Sequence, residues 1–140
     1  MTPQQQPAEP AEPPVILIID DHDDSRTITR IVLEQAGYRV VEANDGSRGY
    51  NTAMEVRPLV VLLDLVLPGL DGWEVARRLR RDRSTEHAVI IALTAAVRTD
   101  DQERARDAGC DEVLTKPVLP PTMLATIQRY IGRPPNRVNS

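Results

Sequence analysis

The sequence predicts an α/β chain in which strand and helix alternate five times, (βα)5, to build one doubly wound, parallel, five-stranded sheet. Three observations predict it. Short aliphatic runs rich in β-branched residues recur along the chain, and segments with helical periodicity separate them. Several runs are apolar at every position, as strands covered on both faces must be. Strand-to-strand connections of this length cross over right-handed and place helices on both sides of the sheet.

The first run, "VILII" (15–19), is followed by a helix over 25–36, with Ile28, Ile31, Val32, Gln35 and Ala36 on one side and Gly37 as its stop. Asp24 or Ser25 is the expected N-cap. The second run, "YRVVEA" (38–43), leads to a weaker helix over 46–56 that Pro58 ends. The third, "LVVLL" (59–63), precedes a helix over 72–82 with Val75, Ala76 and Leu79 on one stripe. The fourth, "AVIIAL" (88–93), precedes a polar helix over 100–108, with Thr99 and Gln102 in a capping-box pattern and Gly109 after it. The fifth, "DEVLT" (111–115), leads to a helix over 121–131 that opens on Pro121 and carries Leu124, Ile127, Gln128 and Ile131 at helical spacing.

The 140 residues suit one domain, 15–131, between two tails. Residues 1–14 hold five prolines and three glutamines, and with 132–140 they are expected to lack a fixed fold. Phe is absent, so the core must be aliphatic. A net charge of −4 argues against a general nucleic-acid binder. The apolar runs are far shorter than a membrane span, and no secretory signal is visible, so a cytoplasmic protein without membrane insertion is expected. A single cysteine, Cys110, excludes an internal disulfide and is expected to be buried and inert. The five arginines of "ARRLRRDR" (76–83) read as a solvated helix face, and Trp73 as a partial core filler. Two histidines, His22 and His87, have no zinc-site spacing; His22 adjoins the acidic pair and could modulate its charge.

In open parallel sheets, ligands bind outside the carboxyl ends of the strands. Four of the five runs here end on residues suited to phosphate or metal: Asp20 and Asp21, Asp64, Thr94 and Lys116. Three converging carboxylates repel one another, and a hard divalent cation relieves this; few protein ligands favour Mg²⁺. "DHDDSRTITRIV" lacks the glycine and terminal glutamate of an EF-hand loop. An aspartate beside such an ion can accept a phosphoryl group, and Asp64, which stands singly, is the natural nucleophile. Thr94 offers a hydroxyl. Lys116 is the only lysine among 17 basic residues and offers a compact, mobile ammonium.

These residues carry a resemblance. The pair Asp20-Asp21, "DLVLPGLDG" (64–72), "LTAA" (93–96) and "LTKPV" (114–118), with Thr94 30 positions and Lys116 52 positions after Asp64, resemble the CheY-like receiver domain of bacterial two-component response regulators, a flavodoxin-like fold. The resemblance spans about 14–131. It implies that Asp64 is the phosphoacceptor, and that Asp20, Asp21 and Asp64 with the backbone carbonyl of Val66 hold Mg²⁺. It implies that Thr94 bonds the phosphoryl group and shifts on activation, that Lys116 pairs with a phosphoryl oxygen, and that the Lys116–Pro117 bond is cis. The phosphodonor would be a sensor histidine kinase or a phosphotransfer protein. The family usually carries an aromatic three residues before the lysine and another after the proline; here these are Val113 and Val118, so the switch through Thr94, Val113 and Pro117 must work without an aromatic rotamer.

The expected function is a single-domain receiver that signals to a downstream protein through the face of helix 100–108, strand 111–115 and helix 121–131. A receiver excised from a larger hybrid protein is the alternative. A haloacid-dehalogenase-type phosphatase wants a second aspartate two positions after the nucleophile, where this chain has Val66. A pseudo-receiver that takes no phosphate is favoured by Val113 alone. Nucleotide-binding glycine motifs are absent.

Overall fold

The computed structural model describes residues 13–95 and 99–133. Most of both tails, and the capping side chain of Thr99, lie outside the described residues. The elements run β1 (Val15–Ile19), α1 (Asp23–Gln35), β2 (Arg39–Ala43), α2 (Gly46–Val56), β3 (Val60–Asp64), α3 (Gly72–Arg81), β4 (Val89–Thr94), α4 (Thr99–Asp107), β5 (Glu112–Thr115) and α5 (Pro120–Ile131). The five strands are parallel and ordered β2-β1-β3-β4-β5.

Strand alternation divides the interior into two layers. Leu17, Ile19, Val61, Leu63, Ile90 and Ala92 face one way and pack with Ala53 of α2, Val75, Ala76 and Leu79 of α3, and Ala105 of α4. Ile16, Ile18, Val60, Leu62, Ile91 and Leu93 face the other way and pack with Leu33 of α1 and Met123 and Ile127 of α5. Helices therefore cover both faces, which is why β1 is apolar throughout and β3 and β4 are apolar up to their last residues. Trp73 and Val113 are partly buried against the first layer, and Arg104 of α4 lies 4.4 Å from the centre of the Trp73 ring.

Two expectations for α1 are corrected. The helix begins two residues early, at Asp23, with His22 rather than Asp24 or Ser25 as N-cap, and His22 makes no side-chain capping bond. Asp23 and Asp24 instead lie in the first turn, where negative charge meets the positive end of the helix dipole. The inward stripe is also rotated: Leu33 is buried, while Ile28 and Ile31 are 57% and 45% exposed. Gly37 (φ 101°) stops the helix as expected. Asp64 and Thr94 fall inside their strands as last residues rather than after them.

Arg80 departs from the solvated arginine face expected for 76–83. Its guanidinium donates to the carbonyls of Gly109 (2.8 Å), Glu86 (2.8 Å) and Ala88 (2.6 Å), and pairs with Asp111 at 2.5 Å. Asp111 also accepts from the Ile90 N–H at 2.8 Å. One side chain thus ties α3 to the entries of β4 and β5. Gly109 must stay glycine, because it has φ 108° and a Cβ there would strike the Arg80 side chain. Arg77 and Arg78 pair with Glu74 on the surface, as expected.

Candidate functional site

The chain order reverses between β1 and β3, and the crevice at their carboxyl ends is where such sheets take ligands. β1 runs straight into Asp20, 4% exposed, and β3 ends on Asp64, 2% exposed. The pairing of Ile19 with Leu63 puts the two aspartates at the same level of the sheet. One ligand atom each of Asp20, Asp21, His22 and Asp64 lies within 4.8 Å of all the others.

The partners of Asp64 are few. Its Oδ1 accepts from the Val66 N–H at 3.0 Å, and its Oδ2 from the Lys116 ammonium at 2.9 Å. That lysine arrives from the end of β5, 52 residues away. Asp20 Oδ1 accepts from the His22 N–H at 2.9 Å. One ammonium beside three carboxylates leaves the cluster with excess negative charge, and two of the three acids are shut away from water. That balance is costly unless a cation joins it. The donor set, carboxylate oxygens with room beside them, suits Mg²⁺.

The other predicted positions fall around this cluster. Thr94 is buried at the end of β4, in register with Thr115, one residue before Lys116. Its strand neighbour Leu93 pairs with Asp64 itself. The Lys116–Pro117 bond is cis. Val66 stands just beyond β3 with its side chain 72% exposed. Val113 is paired with Ala92, one strand residue short of Leu93 and two short of Thr94. Gly72 brings the start of α3 against β3: a Cβ there would lie 2.6 Å from the Asp64 carbonyl oxygen. A groove of about 510 Å³ opens beside Lys116 and Asp20, lined by Ile28, Thr29, Pro117, Val118 and Met123.

One residue of the site, Arg26, was not singled out by sequence, whereas His22 was expected beside the acidic pair as a modulator of its charge. Arg26 donates to the Asp20 backbone carbonyl at 2.7 Å, and to Asp23 and Glu42 at 2.6 and 3.2 Å, so it pins the loop that carries the acidic pair. Its pKa is raised, because the favourable contacts with Asp23 and Glu42 outweigh its burial, the largest single influence, which acts the other way. Its only sequence signal is an arginine one helical turn after Asp23. The His22 ring points back onto Asp20 and Asp21 rather than to solvent alone. Away from the site, burial pushes the Cys110 thiol up to about 12, with a smaller upward push from Asp111 and a downward one from Arg80.

Residues 16–128 match the family model of the response regulator receiver domain. The chain belongs to that family. It is 41% identical over 120 residues to the DNA-binding dual master transcriptional regulator RpaA of Synechocystis sp., covering 86% of this chain and 50% of that protein. It is 32% identical over 120 residues to the polar-differentiation response regulator DivK of Brucella anthropi, covering 86% of this chain and 98% of DivK. The chain therefore spans half of the first relative and nearly all of the second. Among solved structures it is similar to the receiver domain of sensor histidine kinase PA1611 from Pseudomonas aeruginosa PAO1, crystallised with a magnesium ion coordinated in the active site cleft: TM-score 0.79, 32% identity, 86% of this chain and 98% of that one. The CheY-like fold and the place of this receiver in two-component signalling follow from these matches. Among the described residues, no helix is long and apolar enough to cross a membrane.

Proposed function

We propose that this receiver is a cytoplasmic switch that takes a phosphoryl group onto Asp64 from a phosphohistidine of a sensor histidine kinase or phosphotransfer protein. The observation that carries the reading is the state of Asp64. It is buried, holds Lys116 on one oxygen at 2.9 Å, and lies within 4.8 Å of ligand atoms from Asp20 and Asp21.

A carboxylate oxygen of Asp64 attacks the phosphorus; the P–O bond forms as the P–N bond breaks, and the imidazole leaves and takes up a proton. Asp20, Asp21, Asp64 and the backbone carbonyl of Val66 would hold Mg²⁺, which would supply positive charge against that of the incoming phosphoryl oxygens. The Lys116 ammonium, already on Asp64, follows the negative charge onto a phosphoryl oxygen. The Thr94 hydroxyl donates to another, and β4 draws toward the site. The groove between α1 and the Pro117 turn, lined by exposed Ile28, seats the donor protein beside Asp64. Output runs through α4, β5 and α5 to a downstream protein. Valine at 113 means that backbone and helix movement, rather than an aromatic rotamer, conveys the change.

Acetyl phosphate with MgCl2 tests the reading. Intact-mass spectrometry should show one added phosphoryl group, absent with EDTA and absent in Asp64→Asn. No adduct under any condition, with no binding of beryllofluoride, would leave a pseudo-receiver.

A further inference from the structure

His22 occupies the N-cap of α1 with extended backbone angles (φ −96°, ψ 113°), yet makes no side-chain capping bond. Asn, Asp or Ser at that position would satisfy a helix N–H; the histidine forgoes this bond. Its ring turns instead toward the acidic cluster. Nδ1 lies 3.2 Å from Asp20 Oδ1 and 3.1 Å from Asp21 Oδ1. The His22 backbone N–H, on Asp20 Oδ1 at 2.9 Å, fixes the approach. Two ligands that each sit about 2.1 Å from one ion, at right angles, are about 3.0 Å apart. The separations of Nδ1 from the two carboxylate oxygens match the edge of such a coordination shell. Asp64 lies within the same 4.8 Å cluster.

We propose that His22 Nδ1 is a nitrogen donor to the cation site, and that it gives this receiver a preference for a transition-metal ion such as Co²⁺ or Mn²⁺ over Mg²⁺. The proposal rests on the reading of the acidic cluster as a cation site. Mg²⁺ takes oxygen ligands and gains little from an imidazole. An imidazole suits first-row transition metals, whose affinity for a mixed nitrogen and oxygen site rises from Mn²⁺ through Co²⁺. With oxygen ligands alone, the same three carboxylates would favour the hard ion by availability. A nitrogen ligand from the residue directly after the acidic pair changes the selectivity without changing the aspartates.

The full chain is titrated calorimetrically with Mg²⁺ and, separately, with Co²⁺, in wild type, His22→Ala and His22→Phe. The phenylalanine keeps a ring without its nitrogens, and thermal melts confirm that each variant folds. Both variants should lose Co²⁺ affinity by about tenfold or more, a loss of the size that follows removal of a supporting group at a metal site. Mg²⁺ affinity should change far less than that. Mn²⁺ bound to wild type should show nitrogen modulation in electron spin-echo spectra, absent in both variants. Equal changes for Mg²⁺ and Co²⁺, or no nitrogen coupling in wild type, would overturn the proposal and leave the ring as a hydrogen-bond donor to the carboxylates. Failure of wild type to bind any divalent ion would overturn the cation site itself, a separate and distinguishable result.

Discussion

Asp64→Asn should stabilise the fold when divalent ions are removed. At an effective dielectric constant near 20, Lys116 at 2.9 Å favours the charged Asp64 by about 6 kcal/mol. Asp20, within 4.8 Å, opposes it by at least about 3.5 kcal/mol, and Asp21, a third exposed, by about half as much after allowance for solvent. The pair terms nearly cancel. What remains is the cost of holding a carboxylate that is 2% exposed, several kcal/mol even after relaxation. Asparagine removes that cost and can still accept from the Val66 N–H. A gain of about 1–3 kcal/mol follows, or about 3–10 °C in melting temperature. Saturating Mg²⁺ should stabilise wild type, by about 2.7 kcal/mol at a hundredfold excess over its dissociation constant, and the variant less. The assay is thermal or urea unfolding in EDTA and in MgCl2. Lys116→Met provides the opposite sign: it leaves three carboxylates uncompensated and should cost about 3 kcal/mol or more. Loss of more than about 1 kcal/mol by Asp64→Asn in EDTA would refute the balance, since burial would then have to cost less than the lysine returns.

Lys116→Arg keeps the charge but replaces a compact ammonium with a planar fork, so the rate of acetyl-phosphate labelling should fall well before the melting temperature does; equal losses would count against the assigned role. Arg80→Ala removes three carbonyl contacts and the pair with Asp111, and should destabilise by about 2–4 kcal/mol in urea titrations, with amide exchange quickened around 109–111. Cys110 should resist iodoacetamide at pH 8 in the folded chain and react readily in urea, because its thiolate forms only near pH 12. The sign for stability follows: thiol and thiol are equal below about pH 9, and the folded state loses ground as pH rises from there toward 12, where the unfolded chain ionises first. Among the described side chains of α4, only Ala105 is buried, with Ala108 just after the helix, so its amides should exchange faster than those of α1, which a hydrogen-exchange map would check.

The features legible in the sequence are those that strand geometry makes periodic. "VILII" (15–19) and "VVLL" (60–63) are apolar at every position because both faces of β1 and β3 are covered, and that pattern implies parallel strands between helices. Parallel strands bring their carboxyl ends to one edge, so Asp20, Asp64, Thr94 and Lys116 could be gathered there from chain order. The phase of α1 was less legible. Ile28 and Ile31 suggested an inward face, but Arg26, Thr29, Leu33 and Ala36 hold the more covered stripe, and Ile28 lines a groove. An amphipathic helix with apolar residues on two sides has no unique reading from periodicity. Contacts between distant residues left no trace at all: Arg80 meets Gly109 and Asp111 across 29 and 31 positions, which no local pattern encodes. The His22 ring was visible as a neighbour of the acidic pair, but its direction depends on one rotamer and on an N-cap two residues earlier than Asp24.

The central claim is that Asp64, among three clustered carboxylates, is the residue that takes the phosphoryl group. Borohydride reduction after acetyl-phosphate treatment converts a phosphoaspartate to homoserine, which peptide mass mapping locates. Homoserine at position 64, dependent on a divalent ion, is the predicted result. Homoserine at position 20 or 21, or at no aspartate, would contradict the account.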